Sequence, residues 1–363
     1  MKKLLILGFT KLSYMPYLNF YLEALKNEEV EVHVVSWQRD EEPDIRIEDA
    51  SVTVHPFACN QPDEVPIMSK TGNFVKYRAF VKGILKDTHF DRIIVLHTLP
   101  AVLVADILLL KYRGKFILDY RDYTYEGFLP FKWVVGSLTK ASHATFVSSD
   151  AFRGCLPKIP KVYTSHNLLV DSLEHRDVRS SQKRERKPIR MAFWGFIRHE
   201  QINREIIRKL GNDPRFELHY YGREQQTAQN LKQLVSSNQY TNVFFHGSYR
   251  PAERYAFAAE TDLIHNMYEN DAATQKAMGN KYYDGVVFRI PQVCNVDSYM
   301  GDCAQKHGVG VALDANSDGF ADALENYYRS IDWSAFNAHC DAETERIVQE
   351  YENGKHVIAN LLC

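Results

Sequence analysis

The chain alternates short apolar segments with amphipathic segments of helix length, and this alternation restarts once after a charged interruption. Apolar strands separated by helices predict parallel sheets that are buried on both faces. In the first half we predict strands at KLLILGF, VEVHVVSW, SVTVHPF, RIIVLHT, KFILDYR and HATFVSS, with helices around 14–27, 72–87, 100–112 and 131–140. In the second half we predict strands at IRMAFWGF, FELHYYG, VFFHGS, DLIHNMY, PQVCNV and GVGVAL, with helices around 201–211, 225–236, 251–259, 317–329 and 341–361.

The charged interruption, RSSQKRERKP, indicates a surface linker between two domains. With 363 residues, the chain is long enough for two cores. We predict an N-terminal Rossmann-like α/β domain, a linker, a C-terminal Rossmann-like domain and a final helix that packs back toward the N-terminal domain, at residues 1–178, 179–188, 189–340 and 341–363. Two doubly wound parallel sheets predict a cleft between the carboxyl ends of their strands, where such folds bind ligands.

Composition excludes several classes of protein. Hydrophobic residues make up 45% and charged residues 25%, as in soluble globular proteins. The formal charge of -2 provides no overall field for nucleic acid. The six cysteines have no CxxC spacing, which favours reduced thiols over disulfides or zinc. No apolar segment reaches the roughly 20 residues of a membrane span, so we expect a cytoplasmic protein.

Glycines end two predicted strands of the second half. In FWGFIR a strand ends at Gly195 and Arg198 follows in the loop, and in YGRE the next strand ends at Gly222. A glycine allows close approach of the backbone, and helix N-terminal N–H groups with an arginine can hold phosphate oxygens. The alternative interpretation is a turn glycine beside a solvated arginine.

The segment NKYYDGVVFRIPQV, residues 280–293, places Asn280, Lys281 and Asp284 at the start of a predicted helix. Lys281 and Asp284 are three residues apart and therefore neighbours on the helix surface. A lysine can meet the charge of a diphosphate, and a carboxylate can accept hydrogen bonds from both hydroxyls of a ribose. The alternative is a solvated ion pair between the two side chains.

Together these motifs resemble GT-B glycosyltransferases, specifically the retaining family 4 group that includes capsule and O-antigen sugar transferases. The segment WGFIRHEQIN resembles the strand, glycine and arginine loop that binds the donor diphosphate in that family, which implies this role for Arg198. The family pattern K-x-Y-E-x-x-x-x-G-x-P-V, whose acidic residue holds the donor ribose, resembles KYYDGVVFRIPQV, with matches at Lys281, Tyr283, Asp284 and Pro291. The resemblance also implies that the nucleobase packs near Gly222 and His246.

Three residues depart from the family pattern. Lys276 stands where the family has its first glutamate, which contacts the donor sugar. Arg289 replaces the glycine of G-x-P, so we expect a changed turn, and Asp284 is one methylene shorter than the usual glutamate. These departures are consistent with an unusual donor sugar, a shifted alignment or lost activity.

The first half contains FILDYRDYTYEGF, which resembles the D-x-R-D element of family members that transfer sugars to lipid-linked acceptors. ATFVSS and YTSHNLL resemble the strand ends of that family. The resemblance implies an acceptor side made of Gly8, Asp119, Arg121, Asp122, Glu126 and His166. Alternatively, Asp119 and Arg121 pair with each other and brace the strand end.

The resemblance implies that Arg198 and Lys281 stabilise the diphosphate of the leaving nucleotide. No Asp-x-Asp motif occurs in the sequence, so we expect no cofactor and no metal ion. In such retaining enzymes a donor phosphate oxygen can take the acceptor proton, and if a protein base acts, His97 and Asp122 are the candidates. His97 and His166 could instead be histidines satisfied under a loop.

The run EGFLPFKWVVGSLTK, residues 126–140, mixes Phe128, Leu129, Phe131 and Trp133 with lysines. Such a run could rest in a membrane interface and receive a lipid-linked acceptor, or it could be a core helix. The basic residues of 183–190 could assist at an anionic membrane, or be solvated. We therefore expect peripheral contact with the inner face of the membrane.

The sequence thus predicts a cytoplasmic glycosyltransferase that moves a sugar, with retention, from a nucleotide sugar to a saccharide acceptor, expected to be polyprenyl-linked. The pathway would be capsule or O-antigen polysaccharide biosynthesis. A GT-B-like nucleotide-sugar epimerase and a non-catalytic GT-B scaffold are alternatives. An NAD-dependent oxidoreductase is disfavoured because Gly8 stands without the rest of a G-x-G-x-x-G motif.

Overall fold

A computed structural model describes residues 1–61, 67–178 and 188–362. The predicted linker at 179–188 therefore lies, except for Pro188, outside the described residues. Two compact units make up the described chain. Residues 1–166 and the residues from Gln349 onward form the first unit, and Asn167–Val348 form the second.

The first unit is built on a seven-stranded parallel sheet with the strand order β3-β2-β1-β4-β5-β6-β7. Its strands are β1 (Lys2–Leu7), β2 (Val30–Gln38), β3 (Val52–Ala58), β4 (Arg92–Leu96), β5 (Phe116–Tyr120), β6 (Ala144–Val147) and β7 (Val162–Thr164). Its helices are α1 (Leu18–Leu25), α2 (Ile67–Asp87), α3 (Thr98–Leu103), α4 (Ala105–Lys111) and α5 (Leu129–Ala141). The central strands are buried, as their continuous apolar sequences predict.

The second unit repeats this plan with a six-stranded parallel sheet in the order β10-β9-β8-β11-β12-β13. Its strands are β8 (Ile189–Trp194), β9 (Phe216–Tyr221), β10 (Val243–Phe245), β11 (Leu263–Asn266), β12 (Gln292–Asn295) and β13 (Gly310–Leu313). The helices that follow β8 are α6 (Glu200–Leu210), α7 (Gln226–Ser237), α8 (Arg254–Glu260), α9 (Asn280–Val287), α10 (Tyr299–Lys306), α11 (Phe320–Ser330) and α12 (Trp333–Ala359). The predicted fold class, two doubly wound parallel-sheet units, is confirmed.

Several predicted helices differ in extent from the observed ones, and those at 100–112 and 341–361 differ most. The helix expected at 100–112 is interrupted at Val104, whose backbone leaves the helical region with φ -116° and ψ 22° while its side chain packs in the core. The last helix begins at Trp333, earlier than expected, and the Trp333 ring packs edge to face against Tyr328 and Phe336 within the second unit. No helix in the described part of the chain is long and apolar enough to span a bilayer.

Two glycine turns meet where β8 and β9 end. Gly195 and Gly222 have φ values of 123° and 149°, a region that glycine enters readily and other residues avoid. A Cβ atom on Gly222 would lie 1.6 Å from the carbonyl oxygen of Gly195. The two main chains are therefore in direct contact, and position 222 excludes any side chain.

We predict that Gly222→Ala destabilises the protein by about 3 kcal/mol or more, because the added methyl group both clashes and strains the backbone. For a unit of this size, the midpoint of thermal unfolding should fall by roughly 6–12 °C. Gly83→Ala is the matched control: no atom lies within 4 Å of the added Cβ in helix α2, so stability should rise by about 0.5–1 kcal/mol. Calorimetry of both variants checks this, and an unchanged midpoint for Gly222→Ala would show that the two turns can separate.

Candidate functional site

Helix α9 carries the two charged residues on which the sequence analysis depends. It begins at Asn280, as predicted, after Gly279 in an extended conformation. Lys281 and Asp284 lie one turn apart on α9 and are only 7% and 5% exposed. A solvated ion pair between them is therefore not what the structure shows, since both side chains are buried.

The ammonium group of Lys281 begins a chain of hydrogen bonds across the end of the second sheet. Lys281 Nζ donates to the hydroxyl of Tyr268 at 2.6 Å, and this hydroxyl donates to Asn266 Oδ1 at 2.9 Å. Asn266 Nδ2 then donates to Gln292 Oε1 at 3.0 Å, and Gln292 Nε2 donates to the carbonyl oxygen of Tyr282 at 3.0 Å. The chain starts and ends on α9, so it fixes this helix against β11 and β12.

Burial lowers the pKa of Lys281 to about 7, and the positive charge of Arg198 contributes to the shift. Asp284 acts in the opposite direction but does not restore the usual value. The ammonium lies 4.0 Å from the centroid of the Phe193 ring, which offers some cation–π stabilisation. At neutral pH this lysine is consequently poised between its charged and neutral forms, and an anion brought beside it would favour the charged form.

The carboxylate of Asp284 is held from two sides. Trp194, the last residue of β8, donates from Nε1 to Asp284 Oδ2 at 2.8 Å. Arg254 Nη1 lies 3.7 Å from Asp284 Oδ1, and Arg254 Nη2 donates to Ser172 Oγ at 2.8 Å. Burial raises the pKa of Asp284, although Arg254, Trp194 and Lys281 all act to lower it. The orientation of this carboxylate is thus set by residues from β8 and α8.

The sequence analysis missed Arg254, which is as buried as Lys281. Its place on helix α8 offered one signal. Phe257 and Ala258, three and four residues further on, are buried apolar side chains on the same face of the helix. An arginine on the buried face of an amphipathic helix requires a partner, and here that partner is the predicted ribose carboxylate.

Arg198 lies exposed in the turn before α6, as predicted. The turn is held by Asn203, whose Nδ2 donates to the carbonyl oxygens of Arg198 and His199, each at 2.9 Å. Burial, with the nearby charges of Arg198 and Lys281, lowers the pKa of His199 to about 4. Arg198 and Lys281, both predicted to meet the diphosphate, are therefore brought close enough to influence the same histidine.

His246, predicted to lie near the nucleobase, is exposed just beyond β10. Its ring stacks on Tyr221 with centroids 4.2 Å apart, and its Nε2 lies 3.0 Å from Nδ1 of His219. Burial lowers the pKa of both histidines, that of His219 to about 4. Neutral aromatic rings thus lie beside Gly222 at the sheet end, where a base could stack.

The remaining motif residues of the second unit have different environments. Tyr283 is buried in the core, with its ring edge to face against Tyr282. Lys276 is half-buried. Arg289 adopts the left-handed conformation itself, with φ 53°, and its Nη2 lies 2.9 Å from Asp341 Oδ1. This ion pair offsets part of the strain that a glycine would avoid.

In the first unit, Gly8, His97 and Arg121 each follow a strand end, after β1, β4 and β5. The order of the sheet places β1 beside β4 and β4 beside β5, so these residues share one edge. His97 has a φ of 79° and its backbone N–H donates to the carbonyl oxygen of Asp119 at 2.9 Å. This is the edge where a doubly wound sheet binds ligands.

The two candidate bases, His97 and Asp122, are neighbours. His97 Nδ1 lies 3.5 Å from Asp122 Oδ2, and His97 Nε2 lies 2.5 Å from the hydroxyl of Tyr17. Burial lowers the pKa of His97, although Asp122 and Asp119 act to raise it. An imidazole that is neutral at pH 7 and oriented by a carboxylate has the properties of a general base.

Asp119 and Arg121 form a buried ion pair, with Arg121 Nε donating to Asp119 Oδ2 at 2.8 Å. Arg121 Nη2 also donates to Ser165 Oγ at 2.8 Å, and the guanidinium lies over the Tyr17 ring at 4.1 Å. The alternative interpretation, in which the two residues brace the strand end, describes these contacts. Their acceptor role remains a prediction.

Glu126 and His166, also assigned to the acceptor side, are both buried and engaged. Glu126 Oε2 accepts a hydrogen bond from the backbone N–H of Thr124 at 2.6 Å. His166 Nε2 lies 2.8 Å from Glu350 Oε2. Both side chains therefore hold loops of the first unit in place.

Neither the family models nor the curated proteins offer a match to this chain. Within residues 1–61, 67–178 and 188–362, no group of three or more His, Cys, Asp or Glu side chains is arranged to hold a metal ion.

Several solved structures nevertheless share the architecture along the whole chain. Sucrose-phosphate synthase from Thermosynechococcus elongatus has a TM-score of 0.72 at 11% identity, covering 99% of this chain and 97% of its own. HepE from Anabaena, in complex with UDP and glucose, has a TM-score of 0.66 at 14% identity, covering 99% and 100%. WaaG, a glycosyltransferase involved in lipopolysaccharide biosynthesis, has a TM-score of 0.60 at 12% identity, covering 99% of both chains. The chain has the GT-B fold of these proteins.

Proposed function

We propose that this protein is a glycosyltransferase of the retaining, family 4-like type, which transfers a sugar from a nucleotide sugar to a saccharide acceptor. The observation that carries the proposal is the burial of Lys281 and Asp284 at the carboxyl end of the second sheet. A buried ammonium that donates to a neutral phenol, beside a buried carboxylate held in a fixed orientation, suits a ligand that has both a diphosphate and a ribose.

The second unit would bind the donor. Arg198 and Lys281 would hold the diphosphate, and the glycine turn at Gly195 would let its oxygens approach the backbone at the start of α6. The nucleobase would stack near Gly222 on His246. HepE, which has the same fold, is described with UDP and glucose bound, and this supports a nucleotide-sugar donor here.

Asp284 would bind the ribose. Each carboxylate oxygen has two lone pairs, and Oδ2 uses one for Trp194 while Oδ1 has Arg254 only at 3.7 Å. Acceptor sites therefore remain for the two ribose hydroxyls. Trp194 and Arg254 would keep the carboxylate in the orientation that this bidentate contact requires.

The reaction would break the bond between the anomeric carbon of the sugar and the diphosphate oxygen, while an acceptor oxygen bonds to the same carbon. Negative charge develops on the leaving diphosphate, where Arg198 and Lys281 would stabilise it without a metal ion. The acceptor proton would pass to a donor phosphate oxygen, or to His97 oriented by Asp122.

The first unit would bind the acceptor along the edge that carries Gly8, His97, Asp119, Arg121 and Asp122. Arg121 would contribute hydrogen-bond donors more than net charge at this edge, because Asp119 already forms an ion pair with it. Glu126 and His166 would support the loops that border this edge.

The acceptor would be linked to a polyprenyl carrier. Helix α5 buries Phe131, as a core helix would, whereas Leu129 and Trp133 on the helix and Phe128 just before it are 59%, 69% and 65% exposed. Such an apolar patch beside the exposed Lys132 suits the interface of the inner membrane leaflet. A role in capsule or O-antigen biosynthesis is supported by the fold shared with WaaG.

The first prediction concerns donor binding. We expect one nucleotide among UDP, GDP, CDP and dTDP to bind saturably without metal. The ribose and 2′-deoxyribose forms of that nucleotide should differ in affinity by about tenfold, because Asp284 would contact the ribose hydroxyls. Asp284→Ala should weaken binding by about 10–100-fold and remove the discrimination, whereas the exposed Asp302→Ala should change nothing. Calorimetry measures these affinities, and the absence of binding by all four nucleotides would contradict the proposal.

A second prediction follows from the pKa of Lys281 at about 7. A bound diphosphate favours the ammonium, so binding of the preferred nucleotide sugar at pH 8 should take up a proton, and the affinity should fall as the pH rises above 7. Below about pH 6 the lysine is already charged and the uptake should approach zero.

Calorimetry in two buffers of different ionisation enthalpy measures this proton uptake. Lys281→Arg should keep the affinity at pH 8 and abolish the uptake, and Lys281→Met should lose both. An affinity that is independent of pH between 6 and 8 would show that Lys281 does not meet the diphosphate.

A third prediction concerns the α5 patch. Vesicles of phosphatidylcholine with about 30% phosphatidylglycerol should sediment the wild-type protein. Phe128→Ser combined with Trp133→Ser should reduce sedimentation at least about fivefold, because the variant loses the free energy gained when the two rings are buried in the membrane interface. Val75→Ser with Leu110→Ser, two other exposed apolar residues of the first unit, is the matched control. Equal loss in both pairs would contradict a role for α5.

A further inference from the structure

The first unit contains a second concavity, at the opposite end of its sheet from Gly8 and His97. This cavity, which we call the lysine pocket, has a volume of about 510 Å³. Asp91 and Lys115, which line it, directly precede β4 and β5, whereas His97 and Arg121 follow those strands. The lysine pocket is therefore separate from the candidate acceptor edge, and no part of the proposed transfer reaction uses it.

Four lysines line this pocket: Lys82, Lys86, Lys111 and Lys115. In the described ranges of the chain, none of the four forms an ion pair. The one carboxylate in the lining belongs to Asp91, and its Oδ2 already accepts a hydrogen bond from the backbone N–H of Lys3 at 2.9 Å. Like charges that share a concavity raise the electrostatic potential within it.

Helix dipoles account for part of this arrangement. Helices α2 and α4 end at the pocket, with Lys86 and Lys111 in their last turns. Each helix C-terminus carries about half a negative charge, which favours a cation there. After both dipoles and Asp91 are counted, the four lysines still leave an excess of about two positive charges. This excess matches the charge of a phosphate monoester.

The lining of the pocket also includes apolar side chains, those of Leu85, Phe90 and Ile107. Phe90 is buried, and Leu85 and Ile107 are half-buried. A volume of about 510 Å³ is in the range of small-molecule sites. A ligand that fills the pocket would therefore combine a phosphate with an aliphatic portion.

We propose that the lysine pocket binds a phosphate-bearing amphiphile, with its phosphate among Lys82, Lys86, Lys111 and Lys115 and its aliphatic part against Leu85, Phe90 and Ile107. The same chemistry occurs in a lipid headgroup and in a soluble organic phosphate. The proposal does not depend on the transferase activity, because the pocket shares no residue with the donor or acceptor sites.

The test uses the full chain and two variants. The pocket variant carries Lys82→Gln, Lys86→Gln, Lys111→Gln and Lys115→Gln. The control variant carries Lys26→Gln, Arg46→Gln, Lys76→Gln and Lys158→Gln, four exposed basic residues of the first unit that lie outside the pocket. Both variants change the net charge equally, so a general effect of charge appears in both. Thermal unfolding of each variant reports whether it is folded.

Hexyl phosphate is the soluble probe, and hexanol and inorganic phosphate report its two halves separately. At low ionic strength, hexyl phosphate should bind wild type and control alike, at least about tenfold more tightly than either half. The pocket variant should lose at least about tenfold in affinity. If the folded pocket variant binds hexyl phosphate as wild type does, or if both variants lose equally, the proposal is overturned.

Vesicles identify the source of the phosphate. Sedimentation with phosphatidylglycerol vesicles that is lost in the pocket variant and kept in the control assigns a lipid headgroup. Binding of hexyl phosphate without any such difference in sedimentation assigns a soluble organic phosphate. If only the pocket variant unfolds, its loss of affinity shows that the lysines stabilise the helix ends. The single variants Lys82→Gln and Lys115→Gln, which lie outside the last turns of the helices, then provide the test. Normal binding of hexyl phosphate by both single variants would overturn the proposal.

Discussion

The burial of the Lys281 ammonium is the constraint on which the second unit depends. A lysine in the protein interior needs hydrogen-bond acceptors, and this one obtains a phenol whose hydroxyl is held by an amide, which is in turn held by a second amide. Because that chain returns to the carbonyl of Tyr282, the polar groups at the ends of β11 and β12 are ordered together with helix α9. The electrostatic demand of the lysine is only partly met, since a neutral hydroxyl is a weaker partner than a carboxylate.

The first unit also contains a buried basic side chain, but that side chain is paired with a carboxylate. Arg121 is equally buried, yet Asp119 lies 2.8 Å away and neutralises it. A charge that is already paired has little to gain from a ligand, whereas one that is surrounded by rings and hydroxyls has much to gain. Under the proposed function, this contrast suits the second sheet to a charged nucleotide and the first sheet to a largely neutral saccharide.

Much of this organisation could be predicted from the sequence because it is local. The alternation of apolar strands and amphipathic helices gives the two sheets, and the spacing of Lys281 and Asp284 places both on one helix. Contacts between distant segments could not be predicted. Trp194 and Arg254 reach Asp284 across 90 and 30 positions of sequence, and no periodicity signals that they meet. Arg289 adopts a left-handed backbone, and no feature of the sequence signals that the distant carboxylate of Asp341 pairs with its guanidinium.

The contact between Gly195 and Gly222 bears on how such a protein can diverge. The two turns at Gly195 and Gly222 form a corner that touches through main-chain atoms. The geometry of this corner therefore does not depend on which side chains surround it. Side chains around the corner can therefore be substituted without moving the backbone at the ends of these two strands. The two glycines are constrained for different reasons: a Cβ atom on Gly222 would clash with the main chain, whereas Gly195 has space around it and is constrained by its φ of 123°.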